Sequence, residues 1–164
     1  LDAAALLHDV GRIIGYAGHH RHSQTLVEYN GLPGFSAREI ALVASLVRYH
    51  RKGDPDNTDY GGLMDEDDED RIRHLSAILR LAECLERGRN AAVGDVIVTW
   101  ADDVLRLTLI SDEYPAVELW QAERNALPLL EEAFGRRVAL DSVAAPIAWP
   151  GIEESLADKA TSEG

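Results

Sequence analysis

The chain has 164 residues, 46% of them apolar and 27% charged, with a net charge of −13 and one cysteine. That length suits one ordinary domain, or one domain with a small appendage, and the apolar share is enough for a real core. Lone Cys84 excludes an internal disulfide and fits a reducing compartment; no nucleic-acid partner is expected, and because the negative charge is patchy the global balance says little about the ligand.

No apolar run reaches spanning length and no basic-then-apolar signal opens the chain, so a cytoplasmic protein with no membrane partner is expected. The chain opens Leu1-Asp2-Ala3-Ala4, without methionine and inside a helical pattern, which reads as a fragment with further residues upstream.

A helix is predicted over 1–14, from Ala4, Leu7, Val10, Ile13 and Ile14 at helical spacing, ended by Gly15 and Gly18. A second runs over 20–29 and is closed by Asn30-Gly31 and Pro33-Gly34. Ser36-Ala37-Arg38-Glu39 is a capping box, and Ile40, Val43, Ala44 and Val47 mark the buried stripe of the helix that follows, to about His50. Residues 54–70 carry nine acidic side chains and no basic one; without them the net charge is −4. This stretch reads as a solvated loop, since its spacing and glycines do not fit a calcium-binding EF-hand. A further helix spans about 69–87, with Ile72, Leu75, Leu79 and Ala82 inward and Gly88 as its stop.

After Gly88 the period changes. Residues 96–100 are apolar and β-branched, and Leu105, Leu107 and Leu109 alternate with Arg106 and Thr108, so two strands joined by 101–103 form a hairpin. A helix lies within 117–134, with Pro128 expected to kink or divide it and Gly135 to close it. Residues 136–140 are a third strand, and a loosely docked tail follows from 141. The expected architecture is mainly α: a helical domain over 1–90, a small α+β (β-β-α-β) subdomain over 91–140, and the tail over 141–164.

Two constellations carry chemistry. His8-Asp9 pairs an imidazole with a carboxylate at the end of an apolar helix, with Gly11 permitting a bend that lets both reach one ion. His22, His50 and Glu83 are candidate further ligands for a divalent metal such as magnesium or manganese. Each has an ordinary alternative: His19, His20 and His22 beside Arg21 could form a solvated turn, and His50 could cap a helix C-terminus. The order His-Asp, His, His, acid across successive helices is that of the HD phosphohydrolase superfamily.

The second constellation is cationic. Arg48, His50, Arg51 and Lys52 stand at a helix end, and Arg21 and His22 lie in GHHRHS, so both segments are candidate contacts for phosphate groups. The alternative is a set of surface charges balancing the acidic loop. The sequence has no P-loop, no dinucleotide fingerprint and no CxxC pair. Cys84 reads as inert core, Ser23 and Ser36 lack the context of a nucleophile, and Trp100, Trp120 and Trp149 read as packing residues rather than base-stacking platforms.

Leu7-His8-Asp9-Val10-Gly11, Gly18-His19-His20-Arg21-His22-Ser23, Leu32-Pro33-Gly34-Phe35 and Arg48-Tyr49-His50-Arg51-Lys52 together resemble the C-terminal HD-like region of the exopolyphosphatase / guanosine pentaphosphate phosphohydrolase (Ppx/GppA) family. LRLAECLERG and LPLLEEAFGRRVAL are similar to its later helix and closing subdomain, so the resemblance covers about 1–140. It implies that catalysis belongs to an N-terminal actin-like domain outside this sequence. This region then helps to bind inorganic polyphosphate or guanosine pentaphosphate and to form a homodimer, with the RYHRK and GHHRHS segments lining the anion path. The chain departs from the HD pattern in having Glu83 where the last aspartate would fall. A second reading is a stand-alone metal-dependent HD phosphohydrolase with His8, Asp9 and Glu83 on the ion, and a third is a purely structural dimerisation module.

Overall fold

The computed structural model describes residues 1–56, 58–101 and 103–144. Its first helix, α1 (Asp2–Leu7), is half as long as its apolar spacing suggests; the chain turns at His8-Asp9 and continues as a short 3-10 turn, Val10–Ile13. The break has a long-range cause. Gly11 sits so close to the second helix that an added Cβ would lie 2.3 Å from the His19 carbonyl oxygen and the Ser23 nitrogen. Ser23 replaces the lost helical bonds: its hydroxyl donates to the His8 carbonyl at 2.6 Å and accepts the Gly11 N–H at 2.9 Å. As a result Val10, Ile13 and Ile14, expected on a buried stripe, are exposed.

Helix α2 (His19–Asn30) starts after Gly18, whose left-handed φ of 73° suits glycine, and ends at Gly31. Helix α3 (Ala37–Tyr49) opens on the expected capping box, in which Ser36 Oγ accepts the Glu39 N–H and Glu39 accepts the Ser36 N–H at 2.7 Å. Val43, Ala44 and Val47 are buried with Ala4, Val27 and Leu79 in one cluster. Each fully buried Val or Leu contributes roughly 1.5–3 kcal/mol.

Helix α4 (Asp68–Leu85) buries Ile72 and Leu79 as expected, but Ala82 is exposed. The acidic stretch before it is not wholly solvated. It contains a 3-10 turn, Thr58–Tyr60, and Asp68 is fully buried, bound by Arg38 at 2.7 and 2.8 Å and by Arg71.

Strands β1 (Asp95–Ala101) and β2 (Val104–Ile110) are antiparallel. Two helices follow where one divided helix was expected, α5 (Ala116–Asn125) and α6 (Leu127–Phe134), with Pro128 in the first turn of α6, where its missing N–H has no intrahelical partner to lose. Gly135 closes α6 in the left-handed conformation, and β3 (Arg137–Ser142) returns parallel to β2, so the sheet order is β1-β2-β3. Leu105, Leu107 and Leu109 are buried against α4, α5 and α6. The fold is thus mainly helical with a small three-stranded sheet. Asp141 and Ser142, assigned to the tail from sequence, belong to β3; residues 145–164, including Trp149, lie outside the described residues. Among the described residues no helix is long and apolar enough to cross a membrane.

Candidate functional site

The turn that ends α1 delivers His8 and Asp9 to the start of α2 and the end of α3. Three histidines share one local device. His8 Nδ1 contacts the Ala5 carbonyl at 2.7 Å, His19 Nδ1 that of Tyr16 at 2.9 Å, and His50 Nδ1 that of Val47 at 2.7 Å. A carbonyl oxygen only accepts, so each Nδ1 carries a hydrogen and each neutral ring presents Nε2 as a lone pair. His19 Nε2 lies 3.3 Å from His50 Nε2 and 3.0 Å from Asp9 Oδ1. His8 Nε2 is 3.6 Å from Glu83 Oε2, and its ring meets that of His50 edge-on at 5.0 Å.

Donor atoms of Asp9, His19 and His50 all fall within 4.8 Å of one another. Lone pairs so close require positive charge between them, from a shared proton or a divalent cation. The spacing fits a metal: two donors each about 2.1 Å from one ion and at right angles stand about 3.0 Å apart. Imidazole nitrogens with carboxylate oxygens suit a borderline divalent ion, and the Nδ1–carbonyl bonds supply the outer support such ligands need.

The surrounding charges are arranged around this centre. The bond to Glu83 raises the His8 pKa against the effect of burial, whereas burial lowers that of His50 to about 4, leaving it neutral. Burial works to raise both acids, but the His8 bond holds Glu83 below its ordinary value, and the Arg12 bond, with His8, does the same for Asp9. Arg12 reaches Asp9 Oδ2 at 2.7 Å and Arg89 reaches it at 3.3 Å. Arg89 does so from a backbone with φ 52°, unusual for a residue with a side chain.

Of the metal candidates read from sequence, His8, Asp9, His50 and Glu83 come together. His22 does not join them: it lies against Gly11 and Gly15, with its Nδ1 buried and unpartnered. His19 takes part instead. GHHRHS holds both rings on one helix three residues apart, and only the tertiary approach of Gly11 to α2 decides which faces Asp9.

A cleft of about 710 Å³ opens beside the imidazoles. His50, Arg51 and Lys52 line it; Arg21, His22 and Arg48 are not among its walls. Sequence reasoning missed three more cations that do line it, Arg80, Arg87 and Arg124. Arg80 is 7% exposed, and its guanidinium donates to the Tyr49 carbonyl at 2.7 and 3.2 Å and to that of Gly53 at 2.8 Å. It thereby ties α4 to the end of α3 and holds His50, Arg51 and Lys52 in place. Glu83 is the only acidic residue among the cleft's described walls, so five guanidinium or ammonium groups face one carboxylate. A second recess of about 550 Å³, on the Asp9 side, has Arg12, Arg87 and Arg89 balanced by Asp9, Glu83 and Glu86.

An imidazole–carboxylate centre thus lies beside a cleft whose guanidinium and ammonium groups suit anionic oxygen ligands. Residues 1–126 match the family model described as Ppx/GppA phosphatase, domain III, and the chain belongs to that family. Among curated proteins it is similar to the guanosine-5'-triphosphate,3'-diphosphate pyrophosphatase of Pseudoalteromonas translucida (strain TAC 125), with 28% identity over 117 residues. The alignment covers 68% of this chain and 22% of that relative, so the chain spans about a fifth of its length.

Proposed function

We propose that this domain is the polyanion-binding accessory part of a phosphoanhydride hydrolase, holding inorganic polyphosphate or guanosine pentaphosphate while a catalytic domain elsewhere in the same protein cleaves it. The single observation that carries this reading is the cleft: Arg51, Lys52, Arg80, Arg87 and Arg124 against Glu83, in a chain whose net charge is −13. Phosphate oxygens take paired bonds from arginine and a point charge from lysine, and a groove with one sign of charge draws a polyanion in. The family relationship supports the same assignment. In this reading residues 1–90 form an HD-like helical unit with 91–140 appended, in a cytoplasmic homodimer.

The test is a titration of inorganic polyphosphate onto the chain over a range of salt concentrations. Replacing Arg51 and Lys52 by alanine is expected to reduce the slope of log affinity against log salt by about one for each phosphate contact removed. An unchanged affinity and slope would contradict the proposal.

A second reading, a metal-dependent phosphohydrolase in its own right, draws on the His19–His50–Asp9 geometry. Asp9, His19 and His50 would hold the ion, with His8 and Glu83 beside it. A bound divalent ion there would supply Lewis acidity and a lowered pKa for water. His8 stands beside the ion site with its Nε2 3.6 Å from Glu83 Oε2, and Arg12 and Arg89 fix the Asp9 carboxylate. Phosphatase activity of the chain alone with added manganese, lost in Asp9→Ala, is the outcome that distinguishes this reading from the first.

A further inference from the structure

Strand β1 is an open edge of the sheet: β2 pairs with it on one side and, among the described residues, no strand pairs with it on the other. Such edges are ordinarily guarded by lysine, proline or a bulge, because their unpaired N–H and C=O groups template a further strand. Residues 96–101, Val-Ile-Val-Thr-Trp-Ala, hold no charge and no proline. Ile97 is 49% exposed, Val98 52% and Trp100, a packing residue on the sequence reading, 58%.

The register with β2 sets Val96, Val98 and Trp100 opposite Leu109, Leu107 and Leu105, on the side of the sheet that faces the helices. There an open groove of about 350 Å³ separates β1 from Ile78, Ala82 and Leu85 of α4, and every residue that walls it is apolar. The other side of α4 carries Arg80, Glu83 and Arg87 into the cationic cleft, so groove and cleft stand back to back across one helix. An apolar patch of this kind on an acidic chain marks a docking surface.

A second copy of the chain fits it. Chains of net charge −13 repel one another, so their association needs a neutral face, and β1 offers one. Antiparallel pairing of β1 with itself is two-fold symmetric, the arrangement of most homodimers. Side chains that face each other across paired strands share one side of the sheet, so the axis must pass where a residue meets its own copy. In the middle of β1 that residue is Val98. Centred there, Val96 of one copy faces Trp100 of the other at the groove. Asp95 falls opposite Ala101, beside the end where the Arg136 guanidinium lies 5.8 Å from the Trp100 ring centroid. A carboxylate of one copy is thereby brought toward a guanidinium of the other at both ends of the pairing.

We infer that two copies of this chain join through β1 in antiparallel register about Val98, fusing two three-stranded sheets into one and closing the α4–β1 grooves. The inference rests on the homodimer of the reading above, for which it supplies the surface, and not on what the cleft binds.

The experiment is sedimentation of the whole chain at micromolar concentration, with oxidative cross-linking of cysteine variants. The unaltered chain is expected to sediment as a dimer. Val98→Lys, which sets two ammonium groups face to face on the axis, should raise the dimer dissociation constant at least about a hundredfold. Because Val98 is half exposed and lies behind the cleft, this variant should melt with the parent and keep its tripolyphosphate affinity. Val98→Cys should form a disulfide between copies, since facing Cα atoms stand about 4.5–5.5 Å apart, within disulfide reach. Trp100→Cys should not, because Trp100 lies roughly 13 Å from its own copy. Cys84, 2% exposed, does not compete. A dimer that survives Val98→Lys, or cross-linking of Trp100→Cys in place of Val98→Cys, would overturn this surface and leave the homodimer standing. A monomeric unaltered chain would overturn both.

Discussion

His19 and His50, thirty-one residues apart in the chain, turn their Nε2 atoms toward each other at 3.3 Å while each Nδ1 is committed to a backbone carbonyl. Neither ring can rotate to relieve the approach without breaking its carbonyl bond. On the metal reading proposed above, a cation would sit between the lone pairs, which makes His19 and His50 ligands and His22 a bystander among the clustered histidines. His19→Ala should weaken manganese binding by more than the roughly 10–100-fold that loss of a ligand's supporting hydrogen bond costs. His22→Ala should leave it within a few-fold. Equilibrium dialysis with elemental analysis measures both, and a larger effect at His22 than at His19 would refute the ligand assignment.

The turn that presents His8 and Asp9 depends on Gly11 and Ser23. A methyl group at Gly11 would meet backbone atoms at 2.3 Å, which no side-chain rotation relieves, so Gly11→Ala is expected to destabilise the chain by about 3 kcal/mol. Ser23→Ala leaves the Gly11 N–H and the His8 carbonyl unpaired in a buried site, at about 1–3 kcal/mol. Urea unfolding reads both. A Gly11→Ala variant as stable as the parent would show that α1 can run straight through His8.

Acid should act through Asp68. Bonds from Arg38, working against burial, hold its pKa at about 2, below the ordinary 3.8. A carboxyl group with a depressed folded-state pKa favours the folded form above its unfolded value, and this contribution fades as pH falls from about 4 toward about 2. It amounts to about 2 kcal/mol. Asp68→Asn should therefore lose stability at pH 7 and show a flatter stability profile between pH 4 and pH 2 than the parent. Identical profiles for the two would remove Asp68 as the source of the acid transition.

Arg80 acts on the cleft at one remove. Its guanidinium bonds to the Tyr49 and Gly53 carbonyls fix the segment that carries Arg51 and Lys52. Arg80→Met should cost about 1–3 kcal/mol of stability through the unpaired carbonyls. It should weaken polyphosphate binding further than the loss of one charge in Arg51→Ala alone. Arg80→Lys, which keeps the charge but not the fork of donors, should recover only part of the binding. Full recovery by lysine would show that charge alone matters at this position.

Much of the fold could be read locally. The alternation of Leu105, Leu107 and Leu109, the Ser36–Glu39 capping box and the Pro128 division each depend on neighbours within a few residues. What was not legible depends on contacts distant in sequence. The break after Leu7 follows from the approach of Gly11 to α2, which makes His19 rather than His22 face Asp9. Asp68 looked like one more solvated acid in a run of nine until Arg38 and Arg71 closed on it. Arg80, Arg87 and Arg124 are dispersed in ordinary helical or loop sequence, and only the meeting of α3, α4 and α5 gathers them into one cleft. Even so, His8, Asp9, His50 and Glu83 were singled out from sequence, because a His-Asp pair, histidines and then an acid at the edge of an apolar stripe follow one another across successive helices.

The claim on which the account rests is that phosphate groups bind in the cleft between the end of α3 and the α4–α5 wall. Nuclear magnetic resonance of the arginine side chains and backbone amides during titration with tripolyphosphate measures this directly. Shifts should concentrate at Arg51, Lys52, Arg80, Arg87 and Arg124, saturate together, and spare Arg21. Shifts centred on Arg21 and Arg48 with none in the cleft, or no saturable shift at any of these residues, would contradict it.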